Sequence, residues 1–193
     1  MKLKILGIIG LVFLIINQIM LTKGDEFLQA QQIDFAHWFL LFGALFTIAF
    51  SYIFPKSIFN TIATVLTILG IIAHIGMATI DFVIWSFGDD HAGMTDLILQ
   101  LRSKPLIWLP FMSIGPSLLF IGLATHAWKF IKTHPLSSIL TIGGSIMMGL
   151  SAFLWGDNLL VVLAYIIFSA GLVLLIYRKE KKSIKIEVDE KFK

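Results

Sequence analysis

The sequence predicts an all-α integral membrane protein, a bundle of six transmembrane helices with both the N-terminus and the C-terminus in the cytoplasm. Three observations lead to this prediction. Hydrophobic residues make up 58% of the chain and charged residues 14%, with a mean hydropathy of +0.90, whereas soluble domains carry about 25% charged residues. Six apolar stretches approach the roughly 20 residues that a helix needs to cross a bilayer. The connections between these stretches alternate in charge, which predicts their direction through the membrane.

The charged residues divide between the two sides of the predicted membrane. The acidic residues that precede the C-terminal tail all fall on one side: Asp25, Glu26, Asp34, Asp81, Asp89, Asp90, Asp96 and Asp157. Apart from Lys23, Arg102 and Lys104, the basic residues fall on the other side, together with the tail: Lys2, Lys4, Lys56, Lys129 and Lys132. Because Lys and Arg in short loops mark the cytoplasmic side, we expect a multi-pass protein of the plasma (inner) membrane.

The six predicted spans cover residues 4–22, 36–54, 58–87, 105–131, 136–155 and 158–177. Residues 1–177 are expected to form one transmembrane domain, and residues 178–193 a basic cytoplasmic tail. The first span resembles a signal peptide, but its apolar run is long and no A-x-A cleavage pattern follows Asn17 and Gln18, so we expect the span to be retained. The chain has no cysteine, which excludes disulfides, thiol catalysis and cysteine metal sites.

The connection 88–104 is expected to contain a short amphipathic helix, because its apolar residues recur at helical spacing: Met94, Leu97, Ile98 and Leu101. This helix would be a simple surface cover or, alternatively, a lid over an outward-facing cavity. Pro110 and Pro116 interrupt the fourth span, where Ser113 and Ser117 indicate close packing first and a ligand site second.

The fifth span carries small residues at every fourth position: Ser137, Thr141, Ser145 and Gly149. Small residues at this spacing let two helix backbones approach closely in lipid. We therefore expect a tight helix contact on this face, either within the bundle or with a membrane-protein partner that docks on the fifth span.

The third span differs from the others because polar and small residues form a stripe along one face: Asn60, Thr64, Thr67, Gly70, His74, Asp81 and Trp85. A carboxyl within a membrane costs roughly 2.5–3.5 kcal/mol, so it normally faces the interior of a bundle and has a partner. His74 and Asp81 are about 10 Å apart along the helix axis. They are expected to line one cavity with Asn60, Thr67 and Trp85, although Asp81 alone could instead cross-link helices near the surface.

Other polar residues on the outer side could join Asp81. Asp34 and His37 lie at the start of the second span, and Asp89, Asp90 and His91 follow the third. Carboxylates and imidazoles together can bind zinc or another divalent ion, so these five residues are the candidate metal ligands. No two histidines share a depth, which disfavours a bis-histidine haem, and His126 and His134 are expected at the inner interface near lipid headgroups.

Three functions stay open at this point. The first is an outward-facing polar pocket that binds or translocates a small molecule or an ion without any cofactor. The second is a membrane-embedded, metal-dependent hydrolase that uses the outer Asp/His cluster. The third is an accessory subunit of a larger membrane complex. The lipid bilayer is an expected partner in each case, and nucleic acid is not, since the positive net charge of +3 lies in the C-terminal tail.

Overall fold

The structure is a computed structural model that describes residues 1–151 and 156–178, and these residues form helices and short connections with no strand. The α-helices follow one another along the chain as α1 (Lys2–Leu21), α2 (Asp25–Gln29), α3 (Phe35–Phe46), α4 (Ala49–Ile53), α5 (Ile58–Trp85), α6 (His91–Arg102), α7 (Pro105–Trp108), α8 (Ile114–Trp128), α9 (Pro135–Leu150) and α10 (Asn158–Ile176). A π-helical turn, Leu109–Ser113, joins α7 to α8.

Within the described residues, five helical segments are long and apolar enough to cross a membrane: Lys2–Leu21, Phe35–Ile53, Ile58–Trp85, Pro105–Trp128 and Asn158–Ile176. They match five of the six predicted spans to within a few residues. The other predicted span, 136–155, corresponds to α9, an apolar helix of 16 residues. The last four residues of that span lie outside the described part of the chain, as does the predicted tail beyond Arg178.

Polar residues set where several of these helices begin. The side chains of Asp34, Ser57, Asp90 and Asp157 each accept a hydrogen bond from a backbone N–H in the first turn of α3, α5, α6 and α10. These bonds satisfy donors that the start of a helix leaves without a partner. The predicted amphipathic helix is present as α6, with its four apolar residues half-buried and Leu99 58% exposed on the other side.

The long helices pack as three antiparallel pairs, and glycine allows the close approach in each: α1 with α3, α5 with α8, and α9 with α10. The tightest contact is between α5 and α8, where a Cβ atom placed on Gly70 would lie 2.1 Å from the backbone nitrogen of Leu119. In the α9–α10 pair, a Cβ on Gly144 would lie 2.6 Å from the nitrogen of Phe168. Such contacts bring helices together in lipid, where apolar burial alone gives no preference.

The expected small-residue face on the fifth span is only partly right. Thr141 is buried against Gly171 of α10, in line with the prediction. Gly149, however, is not at a tight contact with the described part of the chain, where a Cβ placed on it would meet no atom within 4 Å. The packing face follows Thr141, Gly144 and Met148, a spacing of three and four residues rather than four alone, because an α-helix has 3.6 residues per turn.

The bundle has two ends of opposite charge. At one end, the ammonium group of Lys4 donates to the carbonyl of Ile176, 2.6 Å away, and the guanidinium of Arg178 lies 4.1 Å from the ring of Phe130. We call this the basic end, since the connections that contain Lys56, Lys129 and Lys132 also lie here. The opposite, acidic end carries the acids that follow or precede the helices: Asp34, Asp81, Asp89, Asp90 and Asp157.

A cavity with a carboxylate and two histidines

A cavity of about 630 Å³ lies between α1, α3, α5, α8, α9 and α10, in the half of the bundle toward the acidic end. Its polar lining is Asn17, Gln18, His37, His74, Asp81, Ser113, Ser117, Ser145, Asn158 and Tyr165. Its apolar lining includes Leu40, Met77, Met112, Phe120, Met148 and Val161. A mainly apolar wall with a few convergent polar groups is typical of sites for small molecules.

His37 and Asp81 lie on this wall, and together with Asp34 behind them they form a group of two carboxyls and one imidazole. Asp34 caps α3 by accepting the backbone N–H of His37 at 3.2 Å, and its other oxygen lies 2.5 Å from Nδ1 of the His37 ring. On the far side of the ring, Nε2 of His37 lies 3.4 Å from Oδ2 of Asp81. The Asp34 side chain is 3% exposed, whereas those of His37 and Asp81 are each 18% exposed. His37 therefore links a buried carboxyl on α3 to an accessible one on α5.

The contacts of this group determine how many protons the His37 ring needs to donate to both carboxylates. A neutral imidazole has one N–H, so it can donate to only one of the two carboxylates; donation to both requires a second proton. With both carboxylates ionised and His37 doubly protonated, Asp34, His37 and Asp81 together carry one net negative charge. A buried net charge is costly without a counter-charge. The group can therefore be neutralised by one proton or by one monovalent cation from the cavity.

His74 lines the same cavity nearer the middle of α5. Its Nδ1 donates to the carbonyl of Gly70 at 2.8 Å, which leaves Nε2 of the neutral ring as a hydrogen-bond acceptor. The side chain is 1% exposed and packs edge-on against Phe120, with 5.8 Å between ring centroids. His74 and Asp81 thus both offer acceptors to the cavity, from positions about 10 Å apart along the axis of α5.

The other residues of the predicted stripe do not line the cavity. Thr67 is buried beside Gly122 of α8, at the α5–α8 contact. Asn60 donates to the carbonyl of Ser51 at 3.4 Å near the basic end. Trp85 donates its indole N–H to the carbonyl of Leu28 at 3.3 Å and so joins α5 to α2.

The candidate metal ligands form two separate sets. Asp34 and His37 join Asp81, as the sequence suggested, but Asp89, Asp90 and His91 are exposed and share no hydrogen bond or ion pair with them in the described part of the chain. Asp90 instead caps α6 by accepting the N–H of Gly93 at 3.0 Å. Among residues 1–151 and 156–178, no group of three or more His, Asp or Glu side chains is placed to hold a metal ion.

Several cavity residues were not predicted. Asn17 is fully buried and donates to the carbonyl of Ala36 at 3.0 Å, between α1 and α3. The sequence signal for Asn17 was its polar side chain in an otherwise apolar span. Tyr165 in the last span also lines the cavity, and the same signal applies to it. Ser113 and Ser117, for which a ligand site was the second interpretation, lie on the cavity wall.

The prediction for His126 is wrong. Rather than facing lipid headgroups, its side chain is 2% exposed and stacks on Phe54, with 5.1 Å between ring centroids. Neither ring nitrogen has a hydrogen-bond partner among residues 1–151 and 156–178. Hydropathy placed His126 near the end of a span but did not show that Phe54, directly after α4, covers it.

Comparison with known proteins gives no relative that would assign a function to this cavity. The chain matches no family model, no curated protein and no solved structure.

Proposed function

We propose that this protein is a six-span protein of the plasma (inner) membrane that binds a small, singly charged cationic ligand in the cavity and translocates it. The N-terminus and the C-terminus lie in the cytoplasm, and the cavity faces outward. The orientation is supported by the separation of basic and acidic residues to opposite ends of the bundle, because Lys and Arg in short loops stay on the cytoplasmic side. In this arrangement α9 belongs to the fifth of the six spans along the chain.

The observation that carries the proposal is that His37, on the wall of the cavity, pairs with Asp81 on the same wall and with Asp34 behind it. Fully ionised, this group has one negative charge in surroundings that disfavour an uncompensated charge. A ligand with one positive charge would neutralise it, whereas an anion would add to the charge. Asp81 is the contact point because it is accessible, while Asp34 is buried behind His37.

The rest of the cavity supports an organic ligand rather than a bare metal ion. Met77, Phe120 and Met148 form an apolar surface that the apolar part of an organic ligand can contact. Their side chains have no oxygen atoms, which a hard metal ion would prefer as ligands. Aromatic rings such as those of Phe120 and Tyr165 also attract organic cations through their faces. His74 would accept a hydrogen bond from a donor on the ligand about 10 Å from Asp81.

The two alternatives have no observation of their own. A metal-dependent hydrolase would draw on Asp89, Asp90 and His91, and these lie apart from Asp34 and His37. An accessory subunit would dock through the small residues of α9, but Thr141 packs within the chain and Ser145 and Gly149 line the cavity.

A pair of probes of similar shape and opposite charge tests the proposal: tetraphenylphosphonium, a cation, and tetraphenylborate, an anion. Isothermal titration of the purified protein should show binding of the cation and none of the anion. Asp81→Asn should weaken binding of the cation by about 10- to 100-fold, since opposite unit charges about 6 Å apart attract by up to about 3 kcal/mol at an effective dielectric constant of about 20.

Asp96→Asn is the matched control, because Asp96 is an exposed carboxyl on α6 and lines no part of the cavity. It should bind the cation like the wild type. Equal binding of the two probes, or unchanged cation binding by a well-folded Asp81→Asn variant, would refute the proposed role of the carboxylate.

A further inference from the structure

The wall of the cavity is thin between α8 and α9. Ile121 of α8 and Ser145 of α9 line the central cavity, and the same two residues line a second groove of about 270 Å³. The side chain of Ile121 is also 47% exposed on the outside of the bundle. A single layer of side chains therefore separates the cavity from the surface that would face lipid.

The packing of α9 explains this thin wall. α9 presents Thr141, Gly144 and Met148 to its partner α10, so Ser145 and Gly149 are turned toward the cavity and α8. The small Ser145 side chain and the missing side chain of Gly149 fill little of the space there, and a Cβ on Gly149 would touch no described residue within 4 Å. Between α8 and α9, the hydrogen bond in the described residues lies near the basic end, where Ser138 donates to the carbonyl of Ala127 at 2.9 Å. The pair is held there and is open toward the middle of the bundle.

The groove outside this wall is apolar. Besides Ile121 and Ser145 its lining includes Ala124, Trp128, Ile142 and Ile146. Trp128 is 54% exposed at the end of α8, and an indole at this position is suited to the boundary between headgroups and hydrocarbon. A hydrated ion would gain nothing from such a surface, whereas an amphipathic molecule could rest its apolar body there.

We propose that the gap between α8 and α9 is a lateral entrance through which an amphipathic, monovalent cation passes from the bilayer into the cavity. This inference rests on the proposed function, because it specifies the class of ligand and the route by which the ligand reaches Asp81. The ligand dissolves in the membrane first, moves along the groove past Ser145, and places its charged group beside Asp81. Movement of Ile121 opens the wall.

The test is to block the groove without altering the cavity. Ala124 is half-buried, lines the groove and does not line the cavity, so Ala124→Trp fills the route from outside. Ala170→Trp is the matched control, because Ala170 is an exposed alanine of α10 that lines neither space. The probe is ethidium, a fluorescent amphipathic monovalent cation, mixed with the full chain in phosphatidylcholine nanodiscs.

Ala124→Trp should slow both association and dissociation of ethidium by about tenfold and leave the Kd within about twofold of wild type, because a barrier on the route changes rates and not the bound state. Ala170→Trp should change neither rate. If Ala124→Trp does not fold, Thr125→Cys supplies the same block after purification. Thr125 lies in the groove, and the chain has no native cysteine to compete for a bulky maleimide.

The outcomes separate the two proposals. If wild type does not bind ethidium or tetraphenylphosphonium, the proposed function is refuted. If it binds them and the blocked variants associate at the wild-type rate, the binding site stands and the lateral entrance is refuted.

Discussion

Replacing Gly70 by alanine should destabilise the protein, because Gly70 lies where α5 and α8 are closest. The added Cβ would lie 2.1 Å from the nitrogen of Leu119, 2.4 Å from its Cα and 2.7 Å from its Cβ. Two of these are backbone atoms, so no rotation of a side chain relieves the clash. An ordinary contact begins near 3.4 Å, and the helices would have to part by roughly 1 Å to reach it, with loss of dispersion contacts along the pair.

The magnitude is a balance of two effects. Overpacking of this kind costs about 1–3 kcal/mol, while alanine in place of glycine within a helix gains about 0.5–1 kcal/mol. We expect Gly70→Ala to lose about 1–2 kcal/mol of unfolding free energy on balance. Gly143→Ala is the matched control: it makes the same chemical change within α9, where the new Cβ would meet nothing within 4 Å, and should be neutral or slightly stabilising.

Thermal unfolding of the two variants and of wild type, in one detergent and followed by circular dichroism, measures the difference. The two substitutions should shift the midpoint in opposite directions or, at the least, only Gly70→Ala should lower it. A midpoint for Gly70→Ala equal to or above that of Gly143→Ala would show that α5 and α8 are not in backbone contact at Leu119.

Two further predictions concern the orientation and the unpaired histidine. In intact cells, a membrane-impermeant thiol reagent should label Asp90→Cys from outside and should label Lys132→Cys only after the membrane is permeabilised; labelling of both in intact cells would contradict the proposed orientation. His126→Phe should raise the unfolding free energy by about 1 kcal/mol, since it keeps the stack on Phe54 and removes buried nitrogens that cost about 1–3 kcal/mol without partners. A fall in the thermal midpoint would mean that the His126 ring has a partner, such as water, that stabilises it.

The positions of the five long apolar segments could be predicted, although not the breaks within them, because lipid imposes a simple rule on the chain. Backbone polar groups must be satisfied within each segment, so an apolar stretch of sufficient length becomes a helix. Periodicity then identified the face of α5 on which His74 and Asp81 lie, since residues seven apart complete nearly two turns. Both residues line the same cavity.

The spacing of the polar residues on α5 could not show which parts of the chain pack against them. Asn60 and Thr67 share the stripe, but they have different partners. Thr67 packs against α8, whereas Asn60 contacts the chain at Ser51. Periodicity shows which residues point the same way and not which helix covers them. The contact between His37 and Asp81 depends on how α3 lies against α5, which local sequence does not determine. Gly149 was misplaced for the same reason, because its place depends on which face of α9 meets α10.

The π-helical turn Leu109–Ser113 also bears on how the cavity could change over generations. A π turn contains one residue more than the α-helical turn it replaces, and the carbonyl of Pro110 leans so far over the chain that a Cβ on Gly115 would lie beside it. Deleting one residue here would restore regular α-helical winding and rotate the preceding helical segment, from Pro105 onward, by about 100° relative to α8. Met112 and Ser113 would then leave the cavity wall, while Ser117 would stay. A lineage could therefore change which residues line part of the cavity through a single codon gain or loss.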